Sequence, residues 1–103
     1  MGESRLCPKF EAAFDILGKR WIGVLIRVLG SGPMRFNEIG ERIPEISKKM
    51  LTERLKELEE LGMVKRSVYP ETPVRIVYSL TEKGEAITPA LEEVQHWADE
   101  WLN

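Results

Sequence analysis

The chain has 103 residues, of which 43% are hydrophobic and 31% charged, a composition typical of a single small globular domain spanning residues 1–103. Its one cysteine, Cys7, excludes an intrachain disulfide, and with a single histidine, His96, the chain offers too few ligands for a structural zinc site. No apolar run is long enough for a membrane span or a signal peptide, so we expect a cytoplasmic protein that needs neither a cofactor nor a membrane.

The charge is unevenly distributed along the chain. The net charge is −2, but residues 1–33 carry five basic and three acidic side chains, residues 34–75 carry nine and eight, and residues 76–103 carry one and six. The acidity is therefore concentrated in the last quarter. Because local charge governs binding to nucleic acid, the weakly acidic total does not exclude such a partner for the first three quarters.

Two helices are predicted before residue 30. The first begins at Pro8, since proline suits the first turn of a helix, and runs to residue 17, just before Gly18. The second begins at Trp21 and ends before the Gly-Ser-Gly-Pro sequence of residues 30–33. It is apolar on nearly all sides, which predicts a helix buried in the core.

Residues 34–62 organise the rest of the chain. Residues 34–36 are too short for an independent strand but suit the edge of a sheet. Asn37 is predicted to cap a short helix that ends before Pro44, and Ser47 to cap a longer helix that ends at Gly62. The apolar positions of the longer helix recur at helical spacing, at Leu51, Leu55 and Leu58. Two helices joined by so short a break predict a helix-turn-helix at residues 37–62.

The remaining residues predict a two-stranded wing and a last helix. Two strands within residues 64–80 flank a turn at residues 70–73, and Thr81 caps a helix over residues 81–102 that Pro89 should kink. The order of elements predicts an α+β, mainly α fold, a winged helix-turn-helix. The terminal helices, residues 8–17 and 81–102, are extra to the minimal unit.

The start of the helix capped by Ser47 is a candidate site for DNA. Lys48 and Lys49 occupy its first turn, where the helix dipole is already positive, so their charge is unfavourable unless an anion docks there. Thr52, one turn further on, is placed to meet a base edge, and Lys56 is placed to reach the DNA backbone. This arrangement is typical of a recognition helix.

Further basic residues flank this helix. Candidate contacts with phosphate or with a groove are Arg66, Tyr69 and Arg75 in the wing, Arg35 ahead of the motif, and Lys19 with Arg20. Glu71 at the tip of the wing opposes such a role. The alternatives are a solvated helix face whose lysines pair locally with Glu45 and Glu53, and a plain hairpin whose charges block its edge.

Several motifs resemble the HxlR family of bacterial and archaeal transcription regulators. They are Cys7-Pro8, Gly18-Lys19-Arg20-Trp21, residues 32–39 (GPMRFNEI), residues 46–55 (ISKKMLTERL), residues 69–71 (YPE) and residues 78–84 (YSLTEKG). The resemblance implies a MarR-like winged helix that dimerises through its terminal helices and binds a palindromic operator in double-stranded DNA. Lys48 departs from the glutamine common in the family, so the operator sequence does not carry over.

The residues also favour a homodimer without the resemblance. Large apolar side chains crowd the two ends of the chain, at Phe10, Phe14, Leu91, Val94, Trp97 and Trp101. They either complete the core of the monomer or pack against a second copy, and we expect the second arrangement because the chain is short. A two-fold dimer would read half-sites about 10–10.5 bp apart, or a multiple of that spacing.

Cys7 is a candidate sensor of oxidants or electrophiles. It precedes Pro8 at a helix N-terminus, with Arg5 and Lys9 nearby, a setting that favours the reactive thiolate of a cysteine. The resemblance implies the same role, since some members of the family sense oxidants or quinones through a cysteine in this position. The alternative is an inert side chain packed at the dimer interface.

The sequence thus predicts a homodimeric, sequence-specific DNA-binding regulator that represses by steric block and responds to a small-molecule or oxidant effector. The competing hypothesis is a winged-helix module for protein–protein contact that has no operator. The chain contains no catalytic signature, and His96 has no second histidine with which to pair, so we do not expect an enzyme.

Overall fold

The computed structural model describes residues 7–103, which form six α-helices and one two-stranded antiparallel sheet. In chain order the elements are α1 (Pro8–Leu17), α2 (Ile22–Leu29), α3 (Phe36–Arg42), α4 (Lys48–Glu60), β1 (Val64–Tyr69), β2 (Arg75–Leu80), α5 (Glu82–Ala86) and α6 (Thr88–Trp101). This order is a winged helix-turn-helix and confirms the predicted fold class. Arg5, which the sequence places near Cys7, lies outside the described residues.

The core is formed by α2, α3, α4 and the start of β1. Its buried side chains are Ile22, Leu25, Ile26, Leu29, Ile39, Ile43, Leu51, Leu55, Leu58, Met63 and Val64, and no buried polar side chain accompanies them in the part of the chain that the structure describes. Half-buried apolar residues from α1, β2 and α6 pack around this cluster. The helix-turn-helix is therefore held by an apolar core of its own.

The second helix begins one residue later than predicted. Trp21 has φ of 80°, a left-handed conformation that is incompatible with a right-handed helix, so Trp21 is the N-cap and α2 begins at Ile22. The Arg20 guanidinium lies over the Trp21 ring, 4.6 Å from its centre. Val24 also points to solvent, so α2 is not buried on all sides.

The first helix of the motif begins before the predicted cap. Arg35, and not Asn37, is the N-cap of α3, and its backbone N–H donates to the Glu38 carboxylate over 2.7 Å. The predicted cap at Asn37 was wrong because Glu38 satisfies the backbone from inside the helix. The second helix, α4, begins as predicted, with the Ser47 hydroxyl accepting the Met50 N–H at 3.0 Å, and Gly62 follows its end at φ of 74°.

The wing is a regular hairpin with one additional backbone pairing. Val64 pairs with Leu80 at one end and Tyr69 with Arg75 at the other. Met34 forms an isolated bridge to Tyr78, with N–H···O distances of 2.9 and 2.8 Å. The predicted pairing of residues 34–36 at a sheet edge is therefore confirmed for Met34 alone, because Arg35 already caps α3 and Phe36 begins it. This bridge ties the start of the helix-turn-helix to the wing.

The C-terminal segment is two helices and not one kinked helix. The Thr81 hydroxyl accepts the Gly84 N–H and donates to the Gly62 carbonyl, which fastens α5 to the end of α4. A new helix, α6, then begins at Thr88 with Pro89 in its first turn. The prediction of a kink was wrong because proline, which lacks an N–H, is tolerated in a first turn and so begins a helix there.

Candidate nucleic-acid interface

The first turn of α4 presents two lysines to solvent. Lys48 and Lys49 are exposed, and neither forms an ion pair within residues 7–103. The alternative partners considered from the sequence, Glu45 and Glu53, therefore do not neutralise them. The opposite face of α4 is fixed in the core by three leucines that are almost completely buried. The result is a rigid helix with a free cationic N-terminus.

The remaining residues of this helix surface differ in what they offer. The Thr52 hydroxyl donates to the Lys48 carbonyl over 2.8 Å, so its hydrogen is already used and its methyl group and lone pairs remain for a ligand. Lys56, one turn further on, is exposed. Arg35, at the start of α3, is also exposed. Thr52 is thus suited to accept a hydrogen bond or to contact a thymine methyl.

The wing carries one free and one bound arginine. Arg66 is exposed on β1. The Arg75 guanidinium lies 4.2 Å from the centre of the Tyr69 ring and pairs with Glu71, with Nη2–Oε2 at 3.1 Å and Nε–Oε1 at 3.5 Å. The hydrogen bond from Arg75 lowers the pKa of the Glu71 carboxyl and raises the pKa of Arg75 itself. From the sequence alone, Glu71 is only a negative charge that opposes binding of the wing to DNA. In the structure it is the direct ion-pair partner of Arg75, a candidate DNA contact.

Lys19 forms an ion pair within the protein, whereas Arg20 contributes only its backbone carbonyl to the same network and its side chain is exposed. Lys19 Nζ lies 2.6 Å from Glu57 Oε2, and Arg54 joins the same carboxylate at 3.1 Å while its Nε donates to the Arg20 carbonyl. The hydrogen bond from Lys19 is the main cause of the lowered pKa of Glu57. Lys19 is therefore an internal ion-pair partner, which weakens its assignment to phosphate. Arg54 and Glu57 lie three residues apart on α4, whereas the contacts of Lys19 with Glu57 and of Arg54 with Arg20 join residues 38 and 34 positions apart. No local sequence signal predicts these two longer contacts.

The terminal helices expose the apolar residues that the sequence singles out. Phe10, Phe14, Val94, Trp97 and Trp101 are each between 56% and 66% exposed, and Leu91 is half-buried. Neither α1 nor α6 contributes a fully buried residue. Phe10 and Phe14 contact each other, with ring centres 5.0 Å apart, and so form one apolar patch on α1. Leu91 packs against the core of this single chain, and the five exposed side chains do not.

Cys7 stands directly ahead of α1. It is the N-cap residue, its side chain is exposed, and its carbonyl accepts the Glu11 N–H at 3.0 Å. The thiol is thus accessible to a reagent. Within residues 7–103 no group of histidine, cysteine and carboxylate side chains is arranged to hold a metal ion, and no helix is long and apolar enough to cross a membrane.

Known proteins share both the sequence and this architecture. The transcriptional regulator YodB of Bacillus subtilis is 58% identical over 96 residues, which cover 93% of this chain and 86% of YodB. The uncharacterised regulator YvaP of the same organism is 53% identical over 103 residues, covering 100% of this chain and 95% of YvaP. Both are described as helix-turn-helix transcriptional regulators.

Solved structures of such regulators superpose closely. Reduced YodB has a TM-score of 0.86 at 56% identity, covering 96% of this chain and 97% of that chain, and quinone-bound YodB has 0.81 at 53%, covering 93% and 100%. The redox regulator HypR in its oxidised form has a TM-score of 0.86 at 37% identity, covering 94% and 99%. The family model for the HxlR-like helix-turn-helix matches residues 16–103. The chain therefore belongs to the HxlR-like helix-turn-helix family of transcriptional regulators.

Proposed function

We propose that two copies of this chain form a regulator that binds a palindromic operator, with the first turns of both α4 helices in successive major grooves. The observation that carries the proposal is the pair of exposed, unpaired lysines, Lys48 and Lys49, on a helix held rigidly by the core. Free N–H groups and positive charge at a helix N-terminus bind phosphate, and Ser47 and Thr52 lie beside them for contacts with bases. We assign further contacts with DNA to Lys56, Arg35, Arg66 and Arg75, and to Tyr69 beside Arg75.

The dimer is proposed from the apolar faces of α1 and α6. Phe10, Phe14, Val94, Trp97 and Trp101 leave large apolar areas in solvent, which is typical of a surface that another protein covers. A second copy would cover them on both chains at once, since a two-fold interface is self-complementary. Leu91, between α6 and the core, would support the interface from below.

The test of the proposal is selection of bound fragments from the source genome, followed by titration of the selected site at several salt concentrations. If a dimer contacts about 6–10 phosphates, affinity should fall by roughly 10³–10⁵ between 50 and 200 mM salt. Replacing Lys48 and Lys49 by Gln should make this salt dependence shallower, while Lys9→Gln on α1 serves as the matched control. A flat titration would instead favour a module for protein–protein contact.

Repression follows from occupancy alone. A dimer seated on an operator that overlaps a promoter excludes the polymerase, and it requires only the winged-helix unit. Transcription in vitro from the selected promoter should therefore fall as the protein is added. A rise in transcript would reverse the sign of the proposed regulation while leaving the DNA-binding role intact.

Control by electrophiles is proposed to act through Cys7. The side chain is exposed at the start of α1, next to the proposed dimer face, and the relative YodB has been solved with a bound quinone. The Cys7 sulfur would add to a ring carbon of a quinone, forming an S–C bond as the thiol S–H bond breaks. The C–H bond of that ring carbon then breaks and leaves its electron pair in the ring, so the two released protons end on the two ring oxygens and the product is a hydroquinone thioether. The step needs no further oxidant.

Mass spectrometry should find one quinone adduct per chain, and the adduct should release the operator. Cys7→Ser should keep its affinity for DNA and lose both the adduct and the response. A Cys7→Ser variant that still releases DNA on treatment with quinone would eliminate Cys7 as the sensor.

A further inference from the structure

The tip of the wing holds an arginine in a two-pronged contact with a carboxylate. Arg75 directs Nη2 to one oxygen of Glu71, over 3.1 Å, and Nε to the other, over 3.5 Å. The planar guanidinium presents this same fork to a phosphate, because carboxylate and phosphate offer two acceptor oxygens at similar spacing. Glu71 therefore takes two of the five N–H donors of Arg75, the pair on Nε and Nη2 that forms one two-pronged face of the guanidinium.

The hairpin positions both partners. Tyr69 and Arg75 are the last paired residues of the two strands, so the intervening loop brings Glu71 back over the guanidinium. The Glu71 N–H donates to the Tyr69 carbonyl over 2.7 Å, which fixes the backbone of Glu71 at the start of that loop. The Tyr69 ring supports the guanidinium from one face at 4.2 Å. The contact thus follows from the shape of the loop.

The carboxylate is placed among the candidate DNA contacts. Its three neighbours Tyr69, Arg75 and Arg35 are residues to which the sequence assigns contact with DNA, and the two arginines both lower the pKa of Glu71. Arg66 lies on the neighbouring strand and has no ion pair within the described residues. The Glu71 carboxylate therefore lies among these candidate DNA contacts, as the Glu38 carboxylate does at the start of α3.

We propose that Glu71 occupies the Arg75 guanidinium in place of a DNA phosphate and so limits how strongly the wing holds DNA. This inference rests on the proposed DNA-binding function. Because contacts with phosphate carry no sequence information, the restraint acts on operator and non-operator DNA alike. It therefore lowers the fraction of protein held at non-specific sites without changing which sequence α4 prefers.

The experiment compares the wild-type chain with Glu71→Gln, Arg75→Gln and the double variant, each titrated on operator and on random duplex DNA at several salt concentrations. Glu71→Gln should steepen the slope of log affinity against log salt by about 0.9 per chain, or nearly two per dimer, and tighten binding to both DNAs by roughly tenfold or more near 0.1 M salt. Glu82→Gln, an exposed glutamate of α5 that also adds one unit of charge, is the matched control and should change the slope little.

The double variant separates displacement from simple repulsion. If Glu71 acts by occupying Arg75, its replacement should have no effect when Arg75 is already Gln; an unchanged gain in that background would overturn the proposal. Unaltered or weaker binding by Glu71→Gln, repeated with Glu71→Ala and with circular dichroism matching the wild type, would overturn it as well. Absence of any binding to DNA by the wild-type chain would instead refute the proposed function itself, and the inference with it.

Discussion

Two helices of similar length, α4 with 13 residues and α6 with 14, are covered to very different extents. Both have an apolar face, but α4 buries Leu51, Leu55 and Leu58 inside this chain, whereas α6 leaves Trp97 and Trp101 more than half exposed. An amphipathic pattern therefore predicts that one face of a helix is buried, but it does not predict whether the same chain or another molecule buries it. The apolar face of α4 is buried in one cluster with residues of α2 and α3. For the apolar face of α6, we propose that a second copy of the chain buries it.

The largest effect of a substitution is expected on the apolar face of α4, which is buried within the chain itself. Leu55→Ala should lower the free energy of unfolding by about 2–5 kcal/mol, because it removes a side chain that is 1% exposed and leaves a cavity in the core. Urea unfolding followed by circular dichroism measures the change. Lys56→Ala, at the next position on the exposed side of α4, should stay within about 0.5 kcal/mol of the wild type. Equal losses in both variants would contradict the division of α4 into a core face and a solvent face.

A substitution in the apolar face of α6 is expected to cost a comparable free energy, but the cost should fall on association of the proposed dimer and not on folding of the chain. Trp97→Ala should weaken the dimer by about 2 kcal/mol or more, roughly 30-fold in the dissociation constant, since large aromatic residues dominate such interfaces. Sedimentation over a range of protein concentrations would measure this. Glu92→Ala, an exposed residue of the same helix, is the control. A wild-type chain that stays monomeric at high concentration would remove the contrast drawn between the two helices.

The starts of the two helices allow a smaller test. Ser47 accepts the Met50 N–H at the start of α4, whereas the N-cap of α6, Ile87, offers no side-chain acceptor. Ser47→Ala should cost about 1 kcal/mol of stability, the usual value for a lost cap. The control is Ser31→Ala at the end of α2, where the hydroxyl donates to the Val28 carbonyl and caps no helix N-terminus. Thermal unfolding of the two variants, measured side by side, should separate them.

The smallest effect is expected at Glu57, on the exposed side of α4. Its pKa is lowered in the folded protein, mainly by the hydrogen bond from Lys19, so the unfolded state binds the proton more readily. The stabilisation is therefore present above the usual pKa of a glutamate and is lost as pH falls through the lowered value. Glu57→Gln should cost up to about 1 kcal/mol at pH 7, and this cost should shrink as pH falls below the usual pKa of a glutamate. Glu60→Gln, an exposed neighbour, should show no such pH dependence.

Local signals in the sequence predict α4 and the wing well. Ser47, Gly62 and the spacing of the leucines define α4, and alternating residues define the strands, because caps and periodicity act over a few residues. The left-handed conformation of Trp21 has no such signal, since glycine is the usual residue there. The cap at Arg35 was missed because it depends on the carboxylate of Glu38 and on the bridge from Met34 to the sheet.

The candidate site was predictable in position but not in its pairing. The position of the two lysines in the first turn of α4, at the positive end of the helix dipole, was predictable because the N-cap at Ser47 fixes where the helix begins. The contacts of Lys19 with Glu57 and of Arg75 with Glu71 arise only when the helix pair or the hairpin has folded, so no local pattern encodes them. Sequence reasoning therefore overestimates how many of the basic residues are available to DNA.

The contact of Lys19 and Arg54 with Glu57 has a mechanical consequence. It fastens the turn after α1 to the middle of α4 at two points, so the turn is a poor hinge. Because α4 is also fixed in the core, a change in the tilt of α1 would be passed through this contact to the helix-turn-helix as a whole. In the proposed dimer, the first turns of the two α4 helices would then move together or apart, while the distance between successive major grooves stays fixed near 34 Å. A change of a few degrees in the tilt of α1 would thus move the first turn of α4 out of alignment with its major groove in the proposed complex.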